Sequence, residues 1–295
     1  MKKIFIVLLA SLSFSLFAAD KSDDVLAKVF DPKMDGYEFY VKNPFLYEEL
    51  FVSDLDLVKG KFLKMSTLEY DLYEDGSKGY SDSDYPLELY HYYLFDKQGY
   101  VTHRFELMIG HDGEFYGIKH QKFSKDGNIY KNRIAKYSRR EGSVKKDNLH
   151  KYYNDYEIKV LEDSVELSEL NAKHNKYIVY EKQGNKTLRK EYMPTRENLT
   201  SVTEFSGENF CIKKFYNGEL KETTNYYHGH ISVDNYLSER KDCRYHPAGF
   251  LEYKRFSPKK DGTPGFYSEM KAELLDGPDE MFVKYLRMEL NSPSW

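Results

Sequence analysis

From Leu87 onward the chain alternates apolar and polar residues with a period of two, the spacing that sends successive side chains to opposite faces of a β-strand. In Val101 to Ile109 the odd positions Val101, Phe105, Leu107 and Ile109 form one apolar face. The alternation returns in Tyr152 to Leu161, through Tyr156, Ile158 and Val160. Further strands are expected at Tyr177 to Tyr180, Lys186 to Tyr192, Leu199 to Phe205, Phe210 to Tyr216, Leu220 to Tyr227 and Phe250 to Phe256. Glycines punctuate the series at Gly99, Gly113, Gly127, Gly142, Gly184, Gly207, Gly218, Gly229 and Gly249. The first four follow one another at 14, 14 and 15 residues, one strand plus its turn each time. The expected fold is therefore all-β, mainly an antiparallel meander of repeated hairpins in an elongated or curled sheet, with minor helix near the termini.

Residues 20–86 are less regular. Asp24 to Phe30 is a short helical candidate, Phe51 to Val58 reads as strand, and Tyr73 to Tyr85, rich in Asp, Gly and Ser, reads as a loop. Its acidic stretches, Glu74-Asp75-Gly76 and Asp82-Ser83-Asp84, lack the ordered ligand series of a calcium loop. Ser143 to His150 reads as a longer loop, and Glu162 to Asn175 as a short helix or a hairpin. Pro278-Asp279-Glu280 puts acids at the head of Met281 to Leu290, which favours helix there over strand. The expected divisions are 1–19, 20–86, a repetitive β region over 87–275 and a C-terminal segment over 276–295. Whether the sheet closes, curls into a sandwich or stays open is undetermined by the sequence, and open edges would invite self-association.

Residues 1–19 change the picture of where the chain works. Met1-Lys2-Lys3, an apolar run from Ile4 and the small residues Ala18-Ala19 before Asp20 have the three parts of a secretory signal. A periplasmic or extracellular protein follows, with no membrane span after cleavage. A transmembrane barrel is disfavoured because His103, Arg104 and Glu106 in one strand leave no uncharged face for lipid. The net charge is −4, and loss of Lys2 and Lys3 takes it to −6, which disfavours nucleic acid as a partner. The expected partner is an envelope protein or a glycan.

Aromatic residues make up 16% of the chain, and 28 of its residues are tyrosine. Tyr90, Tyr92, Tyr93, Tyr116, Tyr130, Tyr226 and Tyr227 could either form an exposed platform or cover a thin sheet. Cys211 and Cys243 are a candidate disulfide in an exported chain, or two thiols. His228 and His230 are weak candidates for a zinc site, although Gly229 between them suits a turn that splays the rings. Glu106, Glu114, Glu166, Glu169 and Glu252 supply carboxylates without a spacing that selects a pair. No nucleophile elbow, paired Cys motif or phosphate-cradling loop is present, so no catalytic residue and no cofactor is expected.

One stretch carries a resemblance. Phe215-Tyr216-Asn217-Gly218-Glu219-Leu220-Lys221, continued to Tyr226-Tyr227-His228-Gly229, resembles a variant MORN-type, YwqK-like repeat. A second copy begins at Tyr245-His246-Pro247-Ala248-Gly249, and Phe123 to Ile129 and Tyr180 to Asn185 are echoes that also look like YD-type repeats. The resemblance is best over residues 206–256. It implies an array of β-hairpins serving as a scaffold or binding surface, with Tyr216, Tyr226, Tyr227 and Tyr245 as binding candidates.

Overall fold

The computed structural model describes residues 26–34, 36–46, 50–72, 75, 78–79, 88–109, 115–138, 150–170, 175–206, 209–227, 230–233, 240–257 and 265–284. The signal-like residues, Gly113, Gly142, Gly207, His228 and Gly229 lie outside them. The strands are β1 (Phe62–Leu72), β2 (Lys78–Gly79), β3 (Glu88–Phe95), β4 (Val101–Ile109), β5 (Phe115–Asp126), β6 (Ile129–Ser138), β7 (His150–Val160), β8 (Ser164–Glu169) and β9 (Tyr177–Gln183). They continue as β10 (Lys186–Tyr192), β11 (Leu199–Ser206), β12 (Asn209–Tyr216), β13 (Glu219–Tyr227), β14 (His230–Val233), β15 (Arg240–Tyr245), β16 (Leu251–Ser257) and β17 (Phe266–Leu275).

Among the described residues every ladder is antiparallel. β3 to β14 pair in chain order, β15, β16 and β17 pair in chain order, and β1 joins the two sets by pairing with β3 on one side and β17 on the other. β2 pairs with the end of β1. The expected meander is thus observed, but β1 belongs to it, although it lies in the stretch read as irregular. Laid flat, sixteen strands would span about 75 Å at ~4.8 Å per strand. Yet the two end strands of this order, β14 and β15, are joined by residues 234–239 alone, a tether that reaches about 25 Å at ~3.5 Å per residue. The sheet therefore curls back on itself.

Its concave face wraps the N-terminal segment. Phe30 packs on Tyr180 of β9 and Phe205 of β11, with ring centroids 5.5 and 5.7 Å away. Thr187 of β10 donates its hydroxyl to Val29 O at 2.7 Å, and Tyr180 donates to Pro44 O at 2.8 Å. At the opposite side Ser53 N–H bonds to Ala248 O in the β15–β16 turn at 3.0 Å. Helix α1 (Tyr37–Lys42) buries Phe39, Tyr40 and Val41 inside this ring. The stretch read as a strand at Phe51 to Val58 is instead irregular, with a 3-10 turn over Leu55–Leu57. Val52, Leu55 and Val58 are all buried, and their spacing of three suits a chain surrounded by side chains rather than one in a ladder.

In β4 the expected apolar face is split. The register shifts between Leu94 and Phe95, so Phe95 pairs with Val101 while Leu94 pairs with His103. This bulge leaves Val101 facing the N-terminal segment and turns Phe105, Leu107 and Ile109 to the convex side. There they are buried by helix α2, residues 280–284, whose Phe282 ring stands 4.8 Å from Phe105 and 5.0 Å from Tyr92. Asp279 starts that helix by accepting Phe282 N–H at 2.8 Å, as the acids near its head led one to expect.

Cys211 is half-buried. It lies on β12 and Cys243 on β15, with β13 and β14 between them, a spacing of about three strands or ~14 Å.

Candidate functional site

After α1 the chain continues through Lys42, Asn43, Pro44 and Phe45. Asn43, which is buried, substitutes for a strand partner: its amide donates to Gly99 O at 3.0 Å and its carbonyl oxygen accepts Val101 N–H at 2.7 Å. This pins Phe45 over the inner face of β6 and β7, edge-on to Tyr130 at 5.3 Å and tilted against Tyr156 at 5.0 Å. The result is a crevice between the N-terminal segment and the β5–β6 hairpin, with about 490 Å³ of empty space counting its open mouth. Its walls are mostly apolar and include Phe45, Val101, Phe123, Tyr130 and Tyr156.

The polar groups of the crevice are few. Lys125 pairs with Tyr130 across the hairpin and sets its ammonium 4.7 Å from the centre of that ring, a cation–π contact. Lys42 donates to Gln98 O at 2.6 Å and lies 5.4 Å from the Tyr100 ring. Lys131, at the rim, pairs with Asp126 at 2.7 Å. Asn132 points its Oδ1 into buried space where it accepts no hydrogen bond from the described residues. The enclosed space of the crevice itself is about 40 Å³, room for two or three waters at ~10–15 Å³ each.

Elsewhere the inner face carries two charge clusters built alike. Arg104 and Glu106 on β4, two residues apart, share that face, as do Arg189 and Glu191 on β10. Arg104 bonds to Gln121 Oε1 at 2.8 Å and lies 3.3 Å from both Glu106 and His91 Nδ1, and Lys119 approaches Glu106 at 3.8 Å. Burial pushes the His91 imidazole down to about 4, with Arg104 adding to the effect and Glu106 opposing it. Arg189 donates to Tyr180 OH at 3.2 Å and pairs with Glu191, which Lys176 also meets at 3.1 Å. Burial raises the Glu191 carboxyl, but Arg189 and Lys176 outweigh it and hold the group below its usual range. On the convex side His103 Nδ1 lies 2.9 Å from His120 Nε2, and burial holds His103 down to about 3, with His120 and Lys122 acting in the same direction. These groups are tied to one another, which suits scaffolding more than chemistry.

The residues singled out in the sequence do not gather. Tyr216 is exposed at 69% on the β12–β13 turn beside exposed Leu220. Tyr226 pairs with Phe210, six residues back along β12 and so about 20 Å from Tyr216. Tyr227 ends β13, and Tyr245 ends β15 opposite Leu251. His230 pairs with Tyr227, and His228 lies outside the described residues. Among the described residues no three potential ligands cluster for a metal. Tyr92, Tyr93 and Tyr130 are buried, so these rings cover the sheet rather than form a platform. The crevice itself was missed, because Phe45 and Asn132 meet only through the curl. Of its lining residues, Tyr130 was read in the sequence as part of a possible platform, and Val101, Phe123 and Tyr156 as strand or repeat positions. No known family, curated protein or solved structure matches the chain.

Proposed function

We propose that this chain is an exported, non-catalytic binding or scaffold protein of the cell envelope, and that its ligand enters the crevice between Phe45 and the β5–β6 hairpin. The observation that carries the reading is the crevice: an open cleft with apolar aromatic walls and a handful of polar groups, the kind of lining small-molecule sites have. Export is supported by the signal-like residues 1–19. The convex face supports a watery setting, for it carries cross-strand ion pairs between Lys190 and Glu181, Lys186 and Glu204, and Arg133 and Asp155. A face of this kind is unsuited to lipid. The rigid pairs Arg104–Glu106 and Arg189–Glu191 support a scaffold role for the remaining inner face.

The test is backbone amide NMR of residues 20–295 titrated with fractionated envelope small molecules and soluble glycans. The expected result is a fraction that shifts the amides of residues 42–46 and 123–132 together. Shifts confined to the β12–β13 turn around Tyr216, or none at all, would overturn the assignment of the crevice.

A further inference from the structure

We propose that the His103–His120 pair is an acid-sensitive latch for α2: the helix stays docked while at least one of the two imidazoles is neutral and leaves the convex face when both are charged. The line of contact is short. His103 Nδ1 and His120 Nε2 stand 2.9 Å apart, and the His120 ring lies flat against its cross-strand partner Phe105, with centroids 4.2 Å and planes 8° apart. Phe105 in turn receives Phe282 of α2 edge-on at 4.8 Å. His103 and His120 are only 5% and 7% exposed, so the pair works in a site with little water.

The valence of the rings sets the behaviour. A neutral imidazole offers one N–H and one lone pair, whereas a charged one offers two N–H groups and no lone pair. A hydrogen bond between the facing nitrogens therefore forms with both rings neutral and strengthens with one charged. With both charged, two N–H groups confront each other across 2.9 Å, and two positive charges meet where water screens them poorly. The contact then opens, and because His120 is stacked on Phe105, opening shifts the floor on which Phe282 stands. Release of α2 bares the apolar patch of Phe62, Tyr92 and Phe105 beneath it.

The charge that faces His103 is positive: Lys122, its partner on β5. β6 presents Ala135 opposite His120 and Arg133 opposite Lys122, with Arg133 paired to Asp155 of β7. β3 presents Leu94 opposite His103 and Tyr92 opposite Phe105. The helix brings Phe282 together with Glu280 and Lys284, and Asp279 at its head is taken up by Lys64 of β1 and the Tyr92 hydroxyl. Burial first, then His120 and Lys122, holds the His103 imidazole down to about 3, which places the second protonation in strong acid.

The test follows the backbone amides of Phe282 and Val283, both bonded to Asp279, against those of β9 to β11 by NMR on the mature chain as pH is lowered from 7 to 3. The amides of α2 are expected to move to their unfolded positions while those of the strands hold. His120→Gln removes the second charge and keeps an acceptor for a charged His103, so α2 is expected to stay docked to about one pH unit lower. If His120→Gln fails to fold, His103→Gln, which also leaves a single imidazole, decides in its place. Release of α2 only together with the strands overturns the latch. Release at the same pH in the parent and the folded variant also overturns it, and assigns the acid response to the Asp279 cap instead.

Discussion

Asn43 closes the end of β4 by bonding Val101 N–H at 2.7 Å, the place where a neighbouring strand would otherwise sit. The same side chain donates to Gly99 O, so one buried amide satisfies two backbone groups of the β3–β4 turn and fixes the direction in which the N-terminal segment enters the sheet. Asn43→Ala leaves both groups unpaired inside the protein. The expected cost is about 2–4 kcal/mol, roughly one to two unsatisfied groups, read from urea unfolding. Asn43→Asp keeps the acceptor but loses the donor and is also expected to destabilise.

Two glycine turns that look alike in the sequence do different work. A Cβ at Gly99, where φ is +91°, would stand 2.6 Å from Leu55 Cδ2, whereas a Cβ at Gly218 meets nothing within 4 Å. Gly218→Ala is expected to cost about 1 kcal/mol, from its positive φ alone. Gly99→Ala carries that strain and also displaces the N-terminal segment, with an expected loss of ~3 kcal/mol or more. Parallel denaturation curves of the two variants check the difference.

Glu106→Gln takes away the carboxylate that faces the buried Arg104 charge at 3.3 Å and is expected to cost ~3–5 kcal/mol. Replacing both, as Arg104→Met with Glu106→Leu, removes the desolvation penalty along with the attraction and is expected to recover most of that loss. A double-mutant cycle measured by chemical unfolding reads both outcomes.

Acid should loosen the fold in a defined window. Folded His91 has its pKa near 4 and folded His103 near 3, against 6.5 for the free side chain. Between those values the unfolded chain binds more protons, so stability is full above pH 6.5 and falls as pH drops towards 3. The His91 shift alone corresponds to about 3 kcal/mol. Stability against pH is expected to be flatter between 6.5 and 4 in the His91→Gln, His103→Gln double variant than in the parent chain.

How much of this was written in the sequence follows from what each element packs against. Strands such as β9 and β11 meet the core on one face and water on the other, so their alternation is plain and their positions were read correctly. β1 was not read, because Phe62 faces α2 while Leu63 faces the N-terminal segment, and burial on both sides erases the alternation. β17 was hidden by Met270-Lys271-Ala272-Glu273-Leu274-Leu275, a run that also suits a helix. Phe51 to Val58 was read as strand because its apolar residues are dense, yet their spacing of three was the signal against it. The crevice was illegible for a different reason: its walls come from residues 42–46, 100–101, 123–132 and Tyr156, brought together by a curl that no local pattern encodes.

The central structural claim is that residues 26–58 are the core around which the sheet curls. Hydrogen–deuterium exchange with peptide-level readout tests it most directly. Peptides covering residues 37–58 are expected to exchange as slowly as those of β9 to β11, because amides such as Asn43 and Leu50 are bonded and enclosed. Exchange of that segment within seconds, while the strands stay protected, would show it lying outside the sheet and would contradict both the fold and the site built on it.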